Sequence, residues 1–305
     1  MVVRDPVGAL RGELRRNEPL AAHTTWRVGG PAERFYLPAD IKDLGAFLAT
    51  LEPEEPLFWL GLGSNLLVRD GGIAGTVICT RNRLRGLRQL DHRRIYVEAG
   101  VPCARVARFC AERGLAGTEF LAGIPGTMGG ALAMNAGAFG GETWPLVRRV
   151  LTMDRRGTVR ERTPEHFQVG YRRVQGPASE WFLAAELDLA AGPAGREKIR
   201  ELLARRGATQ PTQLPSCGSV FRNPEGDYAA RLIEACGLKG YAIGGAQVSE
   251  KHANFIVNTG AARAWEIEAL IRHVQAEVRR VTGVELTLEV SIVGRPLDGP
   301  AGGLE

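Results

Sequence analysis

The chain has 305 residues, 44% apolar and 24% charged, the make-up of a globular protein large enough for two or three cooperating cores. Its net charge of +5 rests on arginine, because the only lysines are Lys42, Lys198, Lys239 and Lys251. The arginines alternate with Asp and Glu and form no basic stripe, which argues against nucleic acid as a partner. No apolar run reaches the roughly 18–20 residues of a membrane span, and residues 1–20 lack the apolar segment of a secretory signal. A cytoplasmic protein without membrane insertion is expected. Five cysteines, an odd number with no CxxC or Cys/His cluster, predict neither a disulfide framework nor a metal site.

In chain order, residues 57–60 (LFWL) read as a buried strand running into a glycine-rich patch at 60–75. Short strands are expected at 76–80 and 94–97, then an amphipathic helix at 103–113 stopped by Gly114. A second glycine patch fills 117–141. Strands follow at 147–153, 158–161 and 180–189, with turns at 156–157 and 176–177. A helix at 195–208 ends before Gln210-Pro211, since proline disfavours helix at the residue before it. Beyond a loop at 212–226, helices are expected at 228–236 and 264–281. Ile267, Leu270, Ile271, Val274, Val278 and Val281 give the second its apolar stripe, and Gly283 its stop. Residues 284–293 alternate as a strand. The fold class is α+β, with a smaller α/β unit at the C-terminal end.

The segment GLGSN at 61–65 invites a dinucleotide-fold reading that its context refuses. Leu66 stands where the third glycine of GxGxxG belongs, and Arg81 stands near the position of the ribose-binding acid. The local physics still applies: Gly61 and Gly63 admit special backbone angles, and Ser64 and Asn65 add polar groups to an anion-accepting turn. The second patch, GIPGTMGGALAMNAGAFG at 123–140, has almost no large or charged side chains, as a flat ligand lying on bare backbone requires. Two such loops in one domain point to a dinucleotide.

These two loops resemble those of the UDP-N-acetylenolpyruvoylglucosamine reductases, whose FAD domain is of the vanillyl-alcohol-oxidase type. HTTWRVGG at 23–30, RRGATQP at 205–211, PSCGSVFRNP at 215–224 and HANFIVN at 252–258 are similar to that family in order and spacing. The resemblance implies a two-part FAD-binding region plus a smaller α/β substrate-binding domain. Residues 1–55 with 285–305 would form the first FAD-binding domain, 56–207 the second, and 208–284 the substrate-binding domain. Non-covalent FAD would lie on Gly61, Gly63, Ser64 and Asn65, and on Gly123, Ile124, Pro125, Gly126, Thr127, Gly129, Gly130, Asn135, Gly137 and Ala138. NADPH would reduce it, and the product would be UDP-N-acetylmuramate, made from UDP-N-acetylglucosamine-enolpyruvate for peptidoglycan. A monomer is expected.

Reducing an enol ether needs a hydride at C3, a proton at C2 and stabilisation of the charge between the two steps. Ser219 matches the family's proton donor, with Ser216 as competitor; without that resemblance it reads rather as a turn or cap serine. Arg172 matches the arginine that steadies the developing enolate, and the adjacent Arg173 stays open. Glu289 matches the active-site acid, although a polar strand face would also explain it. Tyr171, Gln210, Arg222 and Asn223 are expected on the UDP substrate, and His252 reads as a core histidine.

Two rival readings remain at this level: a flavin oxidase of the same FAD-domain type, and a catalytically silent nucleotide-sugar binder. The first leaves PSCGSVFRNP and Glu289 without a purpose, and the second needs no proton donor. Residues 173–218 contain no tyrosine, so the chain resembles the short form that lacks a tyrosine flap. Trp181 and Phe182 are the aromatics of that stretch, and packing is the role expected of them.

Overall fold

The computed structural model describes residues 10–192 and 195–297, so the ends of the expected first domain lie outside the described residues. The chain divides into two compact units. Phe35–Leu62 and Thr76–Arg206, with the described residues up to Arg15, form one; Arg16–Arg34, Gly63–Gly75 and the residues from Gly207 form the other.

The first unit is built on a five-stranded antiparallel sheet. Its order is Val159–Arg162, Val147–Asp154, Glu180–Asp188, Arg94–Glu98 and Leu87–Gln89. The helix Cys103–Ala111 buries Val106, Ala107 and Cys110 in a core shared with Ile95, Val97, Ala185 and Leu187 of the sheet. A second core joins Tyr36, Phe47, Leu48 and Ile78, with Tyr36 and Phe47 stacked at 3.6 Å. Asp43 is buried beside it. Its carboxylate accepts from the backbone N–H groups of Arg11, Gly12 and Ala39 and from the Tyr36 hydroxyl, which satisfies a charge that would otherwise be costly to desolvate.

The second unit pairs Leu66–Val68 in parallel with Ser291–Val293, and folds Ala242–Ile243, Ala246–Val248 and Ile256–Asn258 into a small antiparallel sheet. The long helix Ala264–Thr282 lays Ile267, Leu270, Ile271, Val274 and Val278 on the core, as its periodicity predicts, and stops at Gly283 with φ 73°. Val281 of the expected stripe is 49% exposed, in the last turn of the helix. The carboxylate of Asp70 accepts from the N–H groups of Ala264 and Trp265, capping this helix from a distant part of the sequence.

Two expectations need correction. Residues 123–140 are not one bare loop, because Met128–Met134 coil into a helix that buries Met128, Ala131 and Leu132 and ends on left-handed Asn135 at φ 45°. Residues 284–293 are not one strand: only Ser291–Val293 is regular, and Leu288 meets Phe221 in an isolated bridge. The alternation is nonetheless real, for Leu286 and Val290 are buried while Glu285 and Thr287 are exposed. All five cysteines are free thiols, four of them buried. Among the described residues no helix is long and apolar enough to cross a membrane, and no group of His, Cys, Asp and Glu could hold a metal ion.

Within the second unit Glu268 accepts from Arg69 Nε at 2.8 Å and Nη2 at 3.0 Å, and from Arg272 Nη2 at 2.6 Å. The bonds from Arg69 hold its carboxyl below the usual carboxylate range. A lowered folded value stabilises above the unfolded pKa and ceases to do so as pH falls through the folded one. Arg69 and Arg272 are partly solvated, so we expect Glu268→Gln to cost about 2 kcal/mol at neutral pH. The deficit should shrink below about pH 4. Urea unfolding followed by circular dichroism at both pH values checks this; an equal deficit at each would assign Glu268 to packing alone.

Candidate active site

In the first unit the two glycine-rich segments meet. A Cβ on Gly61 would lie 2.5 Å from the Thr127 hydroxyl, and one on Gly129 would lie 2.9 Å from the Ala99 side chain. Thr127 is 1% exposed, and its hydroxyl has no hydrogen-bond partner among the described residues. Gly61 and Gly129 thus let the segments pack closely on Thr127 and Ala99, while the position of a Cβ on Gly130 is open but for the Thr127 hydroxyl at 3.9 Å. Open backbone at Gly130 beside an unsatisfied buried hydroxyl suits a dinucleotide, so these residues fit FAD. The loop is held from behind: Cys103 N–H donates to the Gly126 carbonyl, Met128 N–H to Val101 and Gly129 N–H to Ala99. Gly123 lies under the Phe139 ring, while Ile124 and Ala138 are half-buried and Pro125 and Gly130 exposed.

Asn135 is buried, and its side chain works as a strut. The amide donates to Glu142 Oε2 at 3.0 Å and to the Gly170 carbonyl at 3.3 Å, and its oxygen accepts from Trp144 N–H. Gly170 belongs to the hairpin Gln168–Gly170 with Arg173–Gln175, whose turn carries Tyr171 and Arg172. Arg172 sits at φ 52°, and its Nη2 donates to the Gly137 carbonyl at 2.7 Å. A non-glycine residue held in this region marks a position where the fold has fixed the direction of a side chain. Arg173 is exposed and turns instead to the Gln175 side chain. The geometry thus separates two arginines that the sequence leaves equivalent. Tyr171 is 54% exposed, with the Arg172 guanidinium 5.3 Å from its ring.

In the second unit Gly63, at φ 66°, packs so closely on the His23 carbonyl that a Cβ would come within 2.3 Å of it. Ser64 is half-buried. Asn65 does more than line a turn: its amide donates to the Glu289 carbonyl at 3.0 Å, and its own carbonyl accepts from Ser291 N–H. Ser219 follows Gly218, which is left-handed at φ 84°. The next carbonyl, of Val220, accepts from the N–H groups of both Glu289 and Val290. Ser219 and Glu289 therefore ride on backbone segments bonded to each other. Cys217 is buried nearby; burial, then the charge of Glu289, pushes its thiol well above the usual range. Arg222 N–H donates to the Thr287 carbonyl, and its Nε is buried with no partner among the described residues. Asn223 accepts from Ala229 N–H at 3.2 Å, at the start of the helix Ala229–Ala235, and Gln210 is half-buried.

One residue that positions this site escaped the sequence reading. Asn254 is 3% exposed, and its side chain accepts from Phe221 N–H at 2.9 Å and donates to the Phe221 carbonyl at 2.8 Å, clamping the segment that follows Ser219. The available signal was an asparagine between Ala253 and Phe255, because a polar group in such company is either exposed or fully bonded. His252 is half-buried, and burial lowers its pKa, as suits a neutral core histidine.

Residues 210–293 match the family model described as UDP-N-acetylenolpyruvoylglucosamine reductase, C-terminal domain, and residues 32–162 match that of the FAD binding domain. The chain is 68% identical over 286 residues to the UDP-N-acetylenolpyruvoylglucosamine reductase of Methylococcus capsulatus, covering 93% of this chain and 94% of that one. It is 62% identical to the reductase of the same name from Alkalilimnicola ehrlichii, covering 93% and 95%. The crystal structure of UDP-N-acetylenolpyruvylglucosamine reductase from Thermus caldophilus superposes with a TM-score of 0.79 at 34% identity, covering 93% of this chain and 99% of that one. With relatives this similar over nearly its whole length, the chain belongs to the UDP-N-acetylenolpyruvoylglucosamine reductases, FAD-dependent oxidoreductases that reduce the enolpyruvyl group of UDP-N-acetylglucosamine-enolpyruvate in peptidoglycan synthesis.

Proposed function

We propose that NADPH is the reductant, and that Ser219, Arg172 and Glu289 carry the protein's share of the chemistry. Bound FAD supplies the hydride that arrives at C3 of the enolpyruvyl group. The side chains answer for the proton at C2 and for the charge on the adjoining carboxylate. Ser219 gives its hydroxyl proton to C2, and Glu289 orients that hydroxyl and helps to restore its proton. The observation that carries this reading is the Val220 carbonyl, which bonds the Glu289 N–H at 2.8 Å. It fixes acid and donor on joined segments, which favours a positioned proton transfer.

Arg172, anchored on the Gly137 carbonyl, meets the substrate carboxylate, since a guanidinium matches it with two parallel bonds. Arg222, Asn223, Gln210 and Tyr171 contact the UDP-sugar, and the buried Nε of Arg222 supports an anionic partner there. FAD is held without a covalent bond by the residues of the two glycine-rich segments. The finer division follows the same reading: an FAD region of two domains, 1–55 with 285–305 and 56–207, beside a substrate domain at 208–284. So do the absence of a tyrosine flap, a monomeric state and a cytoplasmic location.

Acid precipitation should release all of the flavin into the supernatant, with yellow colour left on the pellet as the contrary result. Ser219→Ala should leave anaerobic flavin reduction by NADPH close to wild type and slow the substrate half-reaction by about 10²–10⁴-fold. Equal slowing of both half-reactions would make Ser219 a structural residue. Glu289→Gln keeps the volume and removes the charge. Stopped-flow reoxidation by substrate should fall steeply with FAD still bound; wild-type turnover would return Glu289 to an ordinary polar face.

A further inference from the structure

Asn135 ends the helix Met128–Met134 in the left-handed region and is 2% exposed. A side-chain amide has two N–H donors and one acceptor oxygen. Here the protein engages all three: Glu142 Oε2 and the Gly170 carbonyl accept, and Trp144 N–H donates. A carboxylate and a carbonyl only accept, and a backbone N–H only donates, so these partners admit one orientation of the amide. No N–H of this side chain is left for a cofactor, although its place in the second glycine-rich segment invites one.

What the amide reaches instead is the mounting of Arg172. The hairpin Gln168–Gly170 with Arg173–Gln175 is exposed along most of its length, so burial alone does not fix its direction. It is held at both ends. At the base the Phe167 ring packs on Trp144 at 4.7 Å between centroids, and the Trp144 indole N–H donates to the Leu132 carbonyl at 2.8 Å. Near the turn Asn135 holds the Gly170 carbonyl, and two residues on, the Gly137 carbonyl takes Arg172 Nη2 at 2.7 Å. The gripping stretch is itself tied down. Gly137 and Ala138 pair with Glu142 and Gly141, and Thr143 donates to the Ala136 carbonyl through both its N–H and its hydroxyl. A Cβ on Gly137 would lie 3.1 Å from Glu142 Cγ and 3.4 Å from Arg172 Nη1, so the Glu142 stem and the guanidinium crowd the same bare backbone. We propose that Asn135, oriented by Glu142, is the positioning residue of Arg172. It fixes the turn from which the guanidinium projects, and so sets where that cation meets the substrate carboxylate.

The inference rests on the role proposed for Arg172, so the test must tell the two apart. The full-length holoenzyme is reduced anaerobically with NADPH, then mixed with UDP-N-acetylglucosamine-enolpyruvate, and flavin absorbance times each half-reaction. Asn135→Asp keeps the shape and puts an anion where both N–H groups were, facing Glu142 and the Gly170 carbonyl. It should slow the substrate half-reaction by about 10²-fold, with FAD content and reduction by NADPH within about twofold of wild type. Glu142→Ala changes an exposed position that folding tolerates, and it should slow the same step by about fivefold. Both changes are then repeated in Arg172→Ala, where a residue that acts through Arg172 has nothing left to position. There each should add less than about a twofold loss. Losses that multiply in full in that background overturn the positioning role, as do wild-type substrate rates in Asn135→Asp or in Glu142→Ala. Loss of FAD, or equal slowing of both half-reactions, returns Asn135 to the cofactor or to the fold and overturns it too. Arg172→Ala at wild-type substrate rates overturns the role of Arg172 itself, and the positioning with it.

Discussion

The second unit depends on where one irregular stretch of backbone sends its hydrogen bonds. Between Glu285 and Val290 the chain has no continuous strand partner, yet Leu286 and Val290 are buried and the peptide groups around them need partners. They find them in four places. Thr287 offers its carbonyl to Arg222 N–H, Glu289 and Val290 send their N–H groups to the Val220 carbonyl, the Glu289 carbonyl takes the Asn65 amide, and the Leu286 carbonyl takes the Gln275 side chain. A regular strand would have been simpler and would have paired with a single neighbour. The irregular path joins the GLGSN segment to the segment that carries Ser219. Displacing either one moves Glu289, so backbone bonding locates the Cα from which the proposed acid projects.

The same unit spends buried asparagines on the same purpose. Asn254 bonds both backbone groups of Phe221. Asn258 donates to the Trp26 carbonyl at 2.9 Å and accepts from Gly260 and Ala262, while Trp26 returns its indole N–H to the Ile256 carbonyl at 2.8 Å. Removing one partner leaves a buried group unsatisfied, at about 1–3 kcal/mol each. The HTTWRVGG segment thus has a structural task. Trp26 fills the core and locks the strand Ile256–Asn258, and His23 and Gly63 bring backbone to backbone closer than any side chain would allow.

Much of this fold is legible in the sequence, and the exceptions have physical causes. The helix Ala264–Thr282 and the strand Leu57–Leu60 fall where periodicity and an apolar run put them, although the strand is less buried than expected: Leu60 is buried and Leu57, Phe58 and Trp59 are half-buried. The helix Ile41–Leu48 escaped notice; Asp40, which caps it by accepting from Asp43 N–H, is its clearest signal. Met128–Met134 escaped because glycine and alanine there look like loop, while three apolar side chains at helical spacing are enough once a core exists to receive them. Residues 284–293 misled in the opposite direction. Alternation reports which side chains are buried, and it says nothing of whether the backbone between them has found a neighbouring strand.

The candidate site divides along the same line. Glycines and polar residues at fixed spacing can be read without coordinates, but a choice between neighbours cannot. Arg172 and Arg173 have equal charge and reach, and only the left-handed turn at Arg172 sends one guanidinium to Gly137 while the other turns to Gln175. Cys217 shows the reverse case. Next to a proposed proton donor it looks like a rival nucleophile, but burial and the charge of Glu289 keep its thiol protonated. A protonated, buried thiol is a small apolar filler. It packs in the core beside the Ser219 segment without adding a second acid at neutral pH, which is compatible with the proposal that gives the proton chemistry to the hydroxyl and the carboxylate.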